Sequence, residues 1–188
     1  MREEQAVIQV IRSRRKTLSI QIENAGRILV RAPLGLPEAE IRRFVEEKRG
    51  WIEKHLAQVS RREEAARQAS RITPEEMHQL GNEALAWFPP RVRFFAERLG
   101  IRYGRITIRN QKTRWGSCSS AGNLNFNCLL MLCPEEVRDY VIVHELCHRK
   151  EMNHSPRFWA EVEKVLPEYR KALKWLKTEG QVILARAF

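Results

Sequence analysis

The residue pattern predicts an α+β fold, with a β-rich front third followed by a mostly helical remainder. Three observations carry that reading. Residues 7–33 alternate apolar and polar in strand fashion, later segments repeat apolar residues at helical spacing, and capping residues head several of those segments. Val7-Ile8-Gln9-Val10-Ile11, Leu18-Ser19-Ile20-Gln21-Ile22 and Ile28-Leu29-Val30 read as three strands, with Asn24-Ala25-Gly26 as a hairpin turn. Together they predict a β-meander. Pro37 opens a helix that puts Ile41, Phe44, Val45, Ile52 and Leu56 on one face. Residues 58–72 are polar and mixed in charge, which predicts an exposed helical linker. The expected organisation is therefore meander plus helix over residues 1–57, linker over 58–72, and a second domain over 73–188.

Thr73-Pro74-Glu75-Glu76 has the form of a capping box with proline in the first helical position. The helix it opens is expected to stop before Pro89-Pro90, and a further helix over residues 92–99 to end at Gly100. Ile106-Thr107-Ile108-Arg109 and Leu124-Asn125-Phe126 predict short strands on either side of a loop that includes Trp115-Gly116-Ser117. That loop is expected to edge a cleft. Pro134-Glu135-Glu136 starts another helix, with acids where the helix dipole favours them. The apolar, β-branched end, Gln181 to Phe188, predicts a final strand or a segment lying across the cleft, where it would be self-inhibitory.

Composition narrows the class. Apolar residues make up 43% of 188, with only 9 glycines and 8 prolines, which excludes collagen-like and wholly disordered chains. No apolar run approaches the roughly 18 residues of a membrane span. Met1-Arg2-Glu3-Glu4 is unlike a secretory signal, so a soluble cytoplasmic protein with no membrane contact is expected. A net charge of +11 favours polyanions, including a possible nucleic-acid contact through the basic surface. Asp139 is the sole aspartate, which argues against magnesium sites built from several aspartates. Cys118, Cys128, Cys133 and Cys147 form no CxxC pair, so free packed thiols are expected.

The chemistry concentrates in His144-Glu145-Leu146-Cys147-His148. On a helix, the apolar stripe of Val137, Tyr140 and Val141 runs directly into His144 and His148, whose i, i+4 spacing stacks both imidazoles toward one metal ion. Glu145 points about 100° away from His144, able to serve a metal-held water without becoming a ligand. A catalytic zinc takes three protein ligands and keeps one position open, and His154 is the candidate third. Ser155-Pro156 reads as the cap of the next helix, so His154 falls on the reversal between two helices. By composition alone HExxH arises with a chance of roughly 1–2% in such a chain. Lys112, Arg114, Arg149, Lys150 and Arg157 flank these elements, and Arg114 and Arg157 are the candidate substrate-binding cations. His55 and His78 stand alone on charged helices and read as surface residues.

The pattern from Trp115 onward, RWGSCSS, NLNFN, HELCH and NHSPRFW, resembles the YgjP-like family of HExxH metal-dependent hydrolases. These are related to SprT-type and gluzincin-like zinc metallopeptidases. The resemblance extends to RSRRKTLSIQIENAGRILVRAP near the amino terminus. It implies a β-meander with its helix packed on a small zincin-like metallopeptidase domain. It also implies one catalytic zinc on His144, His148 and His154, with Glu145 as acid and base, and manganese or magnesium as stand-ins in vitro. The substrate it implies is a peptide or protein. The alternatives are a nucleoside triphosphate, UTP above all, hydrolysed to pyrophosphate, or a SprT-like association with nucleic acid.

Overall fold

The computed structural model describes residues 8–22 and 27–188. The predicted turn at Asn24-Ala25-Gly26, the strand residue Val7 and the opening Met1-Arg2-Glu3-Glu4 lie outside them. The chain forms two compact units, Met1–Ala65 and Ala66–Phe188.

The first unit contains β1 (Ile8–Ser13), β2 (Ser19–Ile22), β3 (Ile28–Pro33), α1 (Glu38–Glu47) and most of α2 (Arg49–Gln68). Its strand order is β1-β3-β2, with β1 parallel and β2 antiparallel to β3. The predicted meander is thereby corrected, because β3 and not β2 is central. Burial explains the choice: Ile28, Leu29, Val30 and Ala32 are all buried, whereas every residue of β1 is exposed. The Arg12 guanidinium ties β1 to the end of β3 by donating to the carbonyls of Leu36 (2.6 Å), Leu34 (3.3 Å) and Pro33 (3.4 Å). Ile41 and Ile52 complete a small core with Ile28, Val30 and Ala32. The single helix expected after Pro37 is two. Lys48 ends α1, its amide shared by the Phe44 and Val45 carbonyls, and α2 begins at the next residue. α2 then runs through much of the segment predicted as a linker.

The second unit opens with α3 (Pro74–Leu99), capped as predicted. Thr73 Oγ1 accepts from the Glu76 amide at 3.1 Å, and the Thr73 amide donates to Glu76 Oε2 at 2.8 Å. The expected break before Pro89-Pro90 does not occur. One helix carries both prolines, because Leu80, Ala84, Phe88, Val92, Phe95 and Leu99 form an unbroken buried stripe. The carbonyls of Leu85 and Ala86, deprived of donors by the two prolines, belong to exposed residues and can turn to water. Gly100 closes the helix at φ 64°.

β4 (Ile106–Arg109), β5 (Gly116–Cys118) and β6 (Leu124–Asn127) follow in the order β4-β6-β5, which leaves β5 on an edge. A 3-10 helix, Cys128–Leu132, leads into α4 (Glu135–Cys147), α5 (Pro156–Val165), α6 (Tyr169–Lys177) and α7 (Glu179–Ala187). The terminal strand predicted for residues 181–188 is thus replaced by α7. Ile183 and Leu184 are buried together on it, with good helix formers around them. It packs into the core and against Trp115, not across the histidines: a Cβ at Gly180 would lie 3.0 Å from Trp115 Cζ2.

Buried Asn127 fixes the loop that delivers β5. Its Nδ2 donates to the carbonyls of Gln111 (2.7 Å) and Arg114 (2.9 Å), and its own amide donates to that of Trp115 at 2.8 Å. Asp139, also buried, receives Arg91 bidentately at 2.7 and 2.5 Å and ties α4 to α3. Among the described residues no helix is long and apolar enough to cross a membrane.

Phe88 and Phe126 stack at 4.6 Å and 11° in the centre of this core, both fully buried. Phe88→Ala is therefore expected to cost about 3–5 kcal/mol, read as a lowered urea midpoint of the second unit.

Candidate metal centre

α4 and α5 bring the three predicted histidines together. His144 and His148 sit one turn apart. His148 caps α4 with helical angles (φ −62°, ψ −15°), so the stacking of i, i+4 survives to the last residue. The chain then reverses: the amides of Lys150 and Glu151 both donate to the Cys147 carbonyl at 3.0 Å, and the Ser155 amide to that of Asn153 at 2.8 Å. Ser155 caps α5 through its hydroxyl, which accepts from the Phe158 amide at 3.3 Å, with Pro156 at the first helical position. His154 is left just ahead of that cap, facing back toward α4.

One donor atom from each of His144, His148 and His154 lies within 4.8 Å of the others, and Nε2 of His144 and His154 are 3.0 Å apart. A tetrahedral ion with ligand bonds near 2.0–2.1 Å separates its donors by about 3.3–3.4 Å, so only small adjustments suffice to hold one. The outer nitrogens of His144 and His148 are both engaged. The His148 Nδ1–H donates to the Glu151 carbonyl at 3.1 Å, and because a carbonyl can only accept, the lone pair of His148 is on Nε2. Tyr140 Oη lies 3.3 Å from His144 Nδ1. Phe158, fully buried, places its ring 4.8, 4.6 and 4.8 Å from the imidazoles of His144, His148 and His154. It forms a common floor beneath all three.

Electrostatics agree with this arrangement. Burial, followed by the neighbouring His148 and His154, pushes the His144 pKa down to about 3, and burial likewise lowers that of His148. Both are held in the neutral form that binds metals. Glu145 is buried, and desolvation raises its carboxyl to about 8. Its seat depends on Gly116 of β5, where a Cβ would come within 2.7 Å of Glu145 Oε1 and 2.8 Å of Cγ.

The other cations go elsewhere. Arg114 and Arg157 are exposed, and neither side chain makes a hydrogen bond or ion pair among the described residues. Arg149 donates to the Ser120 carbonyl at 2.8 Å, Lys150 pairs with Glu161 at 2.8 Å, and Lys112 lies over the Phe188 ring. Cys147 is fully buried and its thiol is pushed up to about 12 by desolvation, so it is no thiolate ligand. His78 is exposed, and His55 stacks on Trp51. Sequence reasoning missed β5 and the part of Gly116 in seating Glu145. A three-residue strand containing glycine and serine has no periodicity to detect. Tyr140 had a signal, standing four residues before His144 on the same helix face.

The raised Glu145 pKa has a sign that can be tested. As pH climbs above 4.5 the unfolded chain releases a proton that the folded, metal-free protein keeps until about 8, so stability falls across that window. The melting-temperature difference between metal-free Glu145→Gln and the metal-free parent is expected to grow in favour of the variant from pH 4.5 to 8. Above that it should stay level.

Comparison with known proteins fits this geometry. No curated protein matches the chain. Among the solved structures to which it is similar are two metallopeptidase zymogens. Abylysin of Pyrococcus abyssi is 26% identical over 48% of this chain and 93% of its own, with a TM-score of 0.43. Jannalysin of Methanocaldococcus jannaschii is 27% identical over 47% and 92%, with a TM-score of 0.42. The YgjP-like metallopeptidase domain family matches residues 16–84 and 77–179, and since that is most of the sequence, the chain belongs to the YgjP-like family of metallopeptidase domains.

Proposed function

We propose that the protein is a zinc-dependent metallopeptidase whose ligands are His144, His148 and His154 and whose general base and acid is Glu145. The observation that carries this reading is the convergence of three imidazoles, the first followed in sequence by the buried carboxyl of Glu145, in a metallopeptidase-family chain. Three nitrogen donors suit zinc better than magnesium, which prefers oxygen. When bound, such an ion polarises the scissile carbonyl and makes a coordinated water acidic enough to react near neutral pH.

The remaining work belongs to the chain. Glu145 accepts a proton from the attacking water and passes it to the departing amine. Its buried seat limits competing solvent. Tyr140 and the Glu151 carbonyl hold two imidazoles in register by their outer nitrogens. β5 borders Glu145 and has no neighbouring strand on its outer side among the described residues, so an extended peptide can add there as a fourth strand. Arg114, just ahead of β5, and Arg157, at the start of α5, are the candidate cations for contact with such a substrate.

Hydrolysis of a nucleoside triphosphate, UTP included, is the second reading. The net charge of +11 favours it, while the chain has no GxxxxGK[ST] phosphate loop. Zinc-loaded protein offered an unfolded polypeptide and a triphosphate panel separates the two. Peptide cleavage is expected, lowered by about 10²–10⁴-fold in Glu145→Gln with zinc content preserved by elemental analysis. Pyrophosphate release without peptide cleavage would overturn the peptidase reading. Gly116→Ala, which crowds the carboxylate, is expected to lower kcat by roughly 10–100-fold with KM and zinc content close to the parent's.

A further inference from the structure

A cavity of about 440 Å³ lies between α5 and α6. Trp159, Tyr169 and Leu173 supply its apolar walls, and Arg170, Lys174 and Lys177 its charge. None of the residues lining it is acidic. The three cations stand at i, i+4 and i+7 on α6, a spacing that puts them on one helix face. Lysines in a last turn are favoured by the helix dipole whichever way they face. That accounts for their presence but not for their shared direction. Lys171, by contrast, is engaged with Glu168 at 2.6 Å and takes no part in the cavity. Arg170 lies over the Tyr169 ring and is partly matched by Glu163 at 3.0 Å, whereas Lys174 has no ion-pair partner among the described residues.

The cavity is connected to the candidate metal centre by a single ring. The Trp159 indole stacks on His154 at 5.7 Å and 28°, and on Tyr169 at 5.3 Å and 13°. A group seated against Trp159 is therefore one aromatic layer from the trio. Aromatic walls lower the local dielectric and strengthen the attraction of the cations for an anion placed among them.

We propose that this cavity is a subsite for a negatively charged group of the substrate, a carboxylate or a phosphate, held against Trp159 by Lys174 with Arg170 and Lys177. The proposal rests on the reading of the histidine trio as the reactive centre, and it adds that the substrate is acidic.

The test uses zinc-loaded full-length protein and two labelled decapeptides identical except for Glu or Gln at each of two positions, together with UTP. The parent is expected to favour the Glu peptide over the Gln peptide by about tenfold in kcat/KM, a margin typical of one well-placed charge contact. Lys174→Glu should bring that ratio to one or below, Lys174→Arg should restore it, and Lys171→Glu should leave it at the parent value. If phosphate is the source, the peptides will not differ and UTP turnover will instead fall about tenfold in Lys174→Glu. A Lys174→Glu protein with parental peptide ratio and parental UTP turnover overturns the subsite while leaving the peptidase reading intact. Absence of turnover on every substrate overturns the hydrolase reading. In that event fluorescence anisotropy of the Glu145→Gln protein with the same peptides, and competition by UTP, decides the subsite: binding that depends on Lys174 upholds it, and equal binding by Lys174→Glu overturns it.

Discussion

A cluster of imidazoles is useful only if its lone pairs converge, and here a single benzene ring enforces that. Phe158 sits within 4.6–4.8 Å of the ring centres of all three histidines and is itself sealed from solvent. The ring is rigid, makes no hydrogen bonds and cannot compete for a metal. It therefore fixes the distance between α4 and the reversal that carries His154 without altering the chemistry above it. The hydrogen bond from His148 to Glu151 and the Tyr140 hydroxyl set which nitrogen faces inward. Packing supplies position and hydrogen bonding supplies orientation, and neither alone would produce a chelating set.

The neighbouring carboxyl shows the same economy in reverse. Glu145 occupies a buried place in which its ionised form is disfavoured, and the space for it exists because residue 116 has no side chain. Such an arrangement costs stability, and it is the feature on which the proposed proton transfer draws. The rest of the unit offsets that cost through a conventional core, in which Phe88 on Phe126 and the Arg91–Asp139 pair join α3 to the sheet and to α4.

The helices, their caps and the histidine motif were legible because each depends on local order. Thr73 with Glu76, Ser155 with Pro156, and the 144–148 spacing all work within one or two turns. What escaped was decided at a distance. β3 takes the centre of the first sheet because Ile28, Leu29 and Val30 are buried more deeply than β1, a contest between strands that alternation does not reveal. Pro89-Pro90 reads locally as a stop, yet the stripe from Leu80 to Leu99 outweighs it. The apolar tail looked like a strand because Val182 and Ile183 are β-branched. Packing of Ile183 and Leu184 in the core, and of Gly180 against Trp115, makes it helical. At the site, the histidines and Glu145 could be named in advance, whereas Gly116, Phe158 as a floor and the cationic face of α6 required three dimensions.

The position of α7 bears on how the second unit is assembled. The Arg186 guanidinium donates to the Ser70 carbonyl at 2.8 Å, and the Ile72 amide to that of Arg186 at 3.2 Å, closing a circuit across a sequence separation of 116. Closing so long a loop costs conformational entropy, which the burial of Ile183 and Leu184 on the same helix helps to offset. The Trp115 indole, adjacent to the glycine that accommodates the Glu145 carboxyl, rests against the same helix. The strand that borders Glu145 is thereby braced by α7, so loosening that helix is expected to reach the seat of the carboxyl through Trp115 and Gly116.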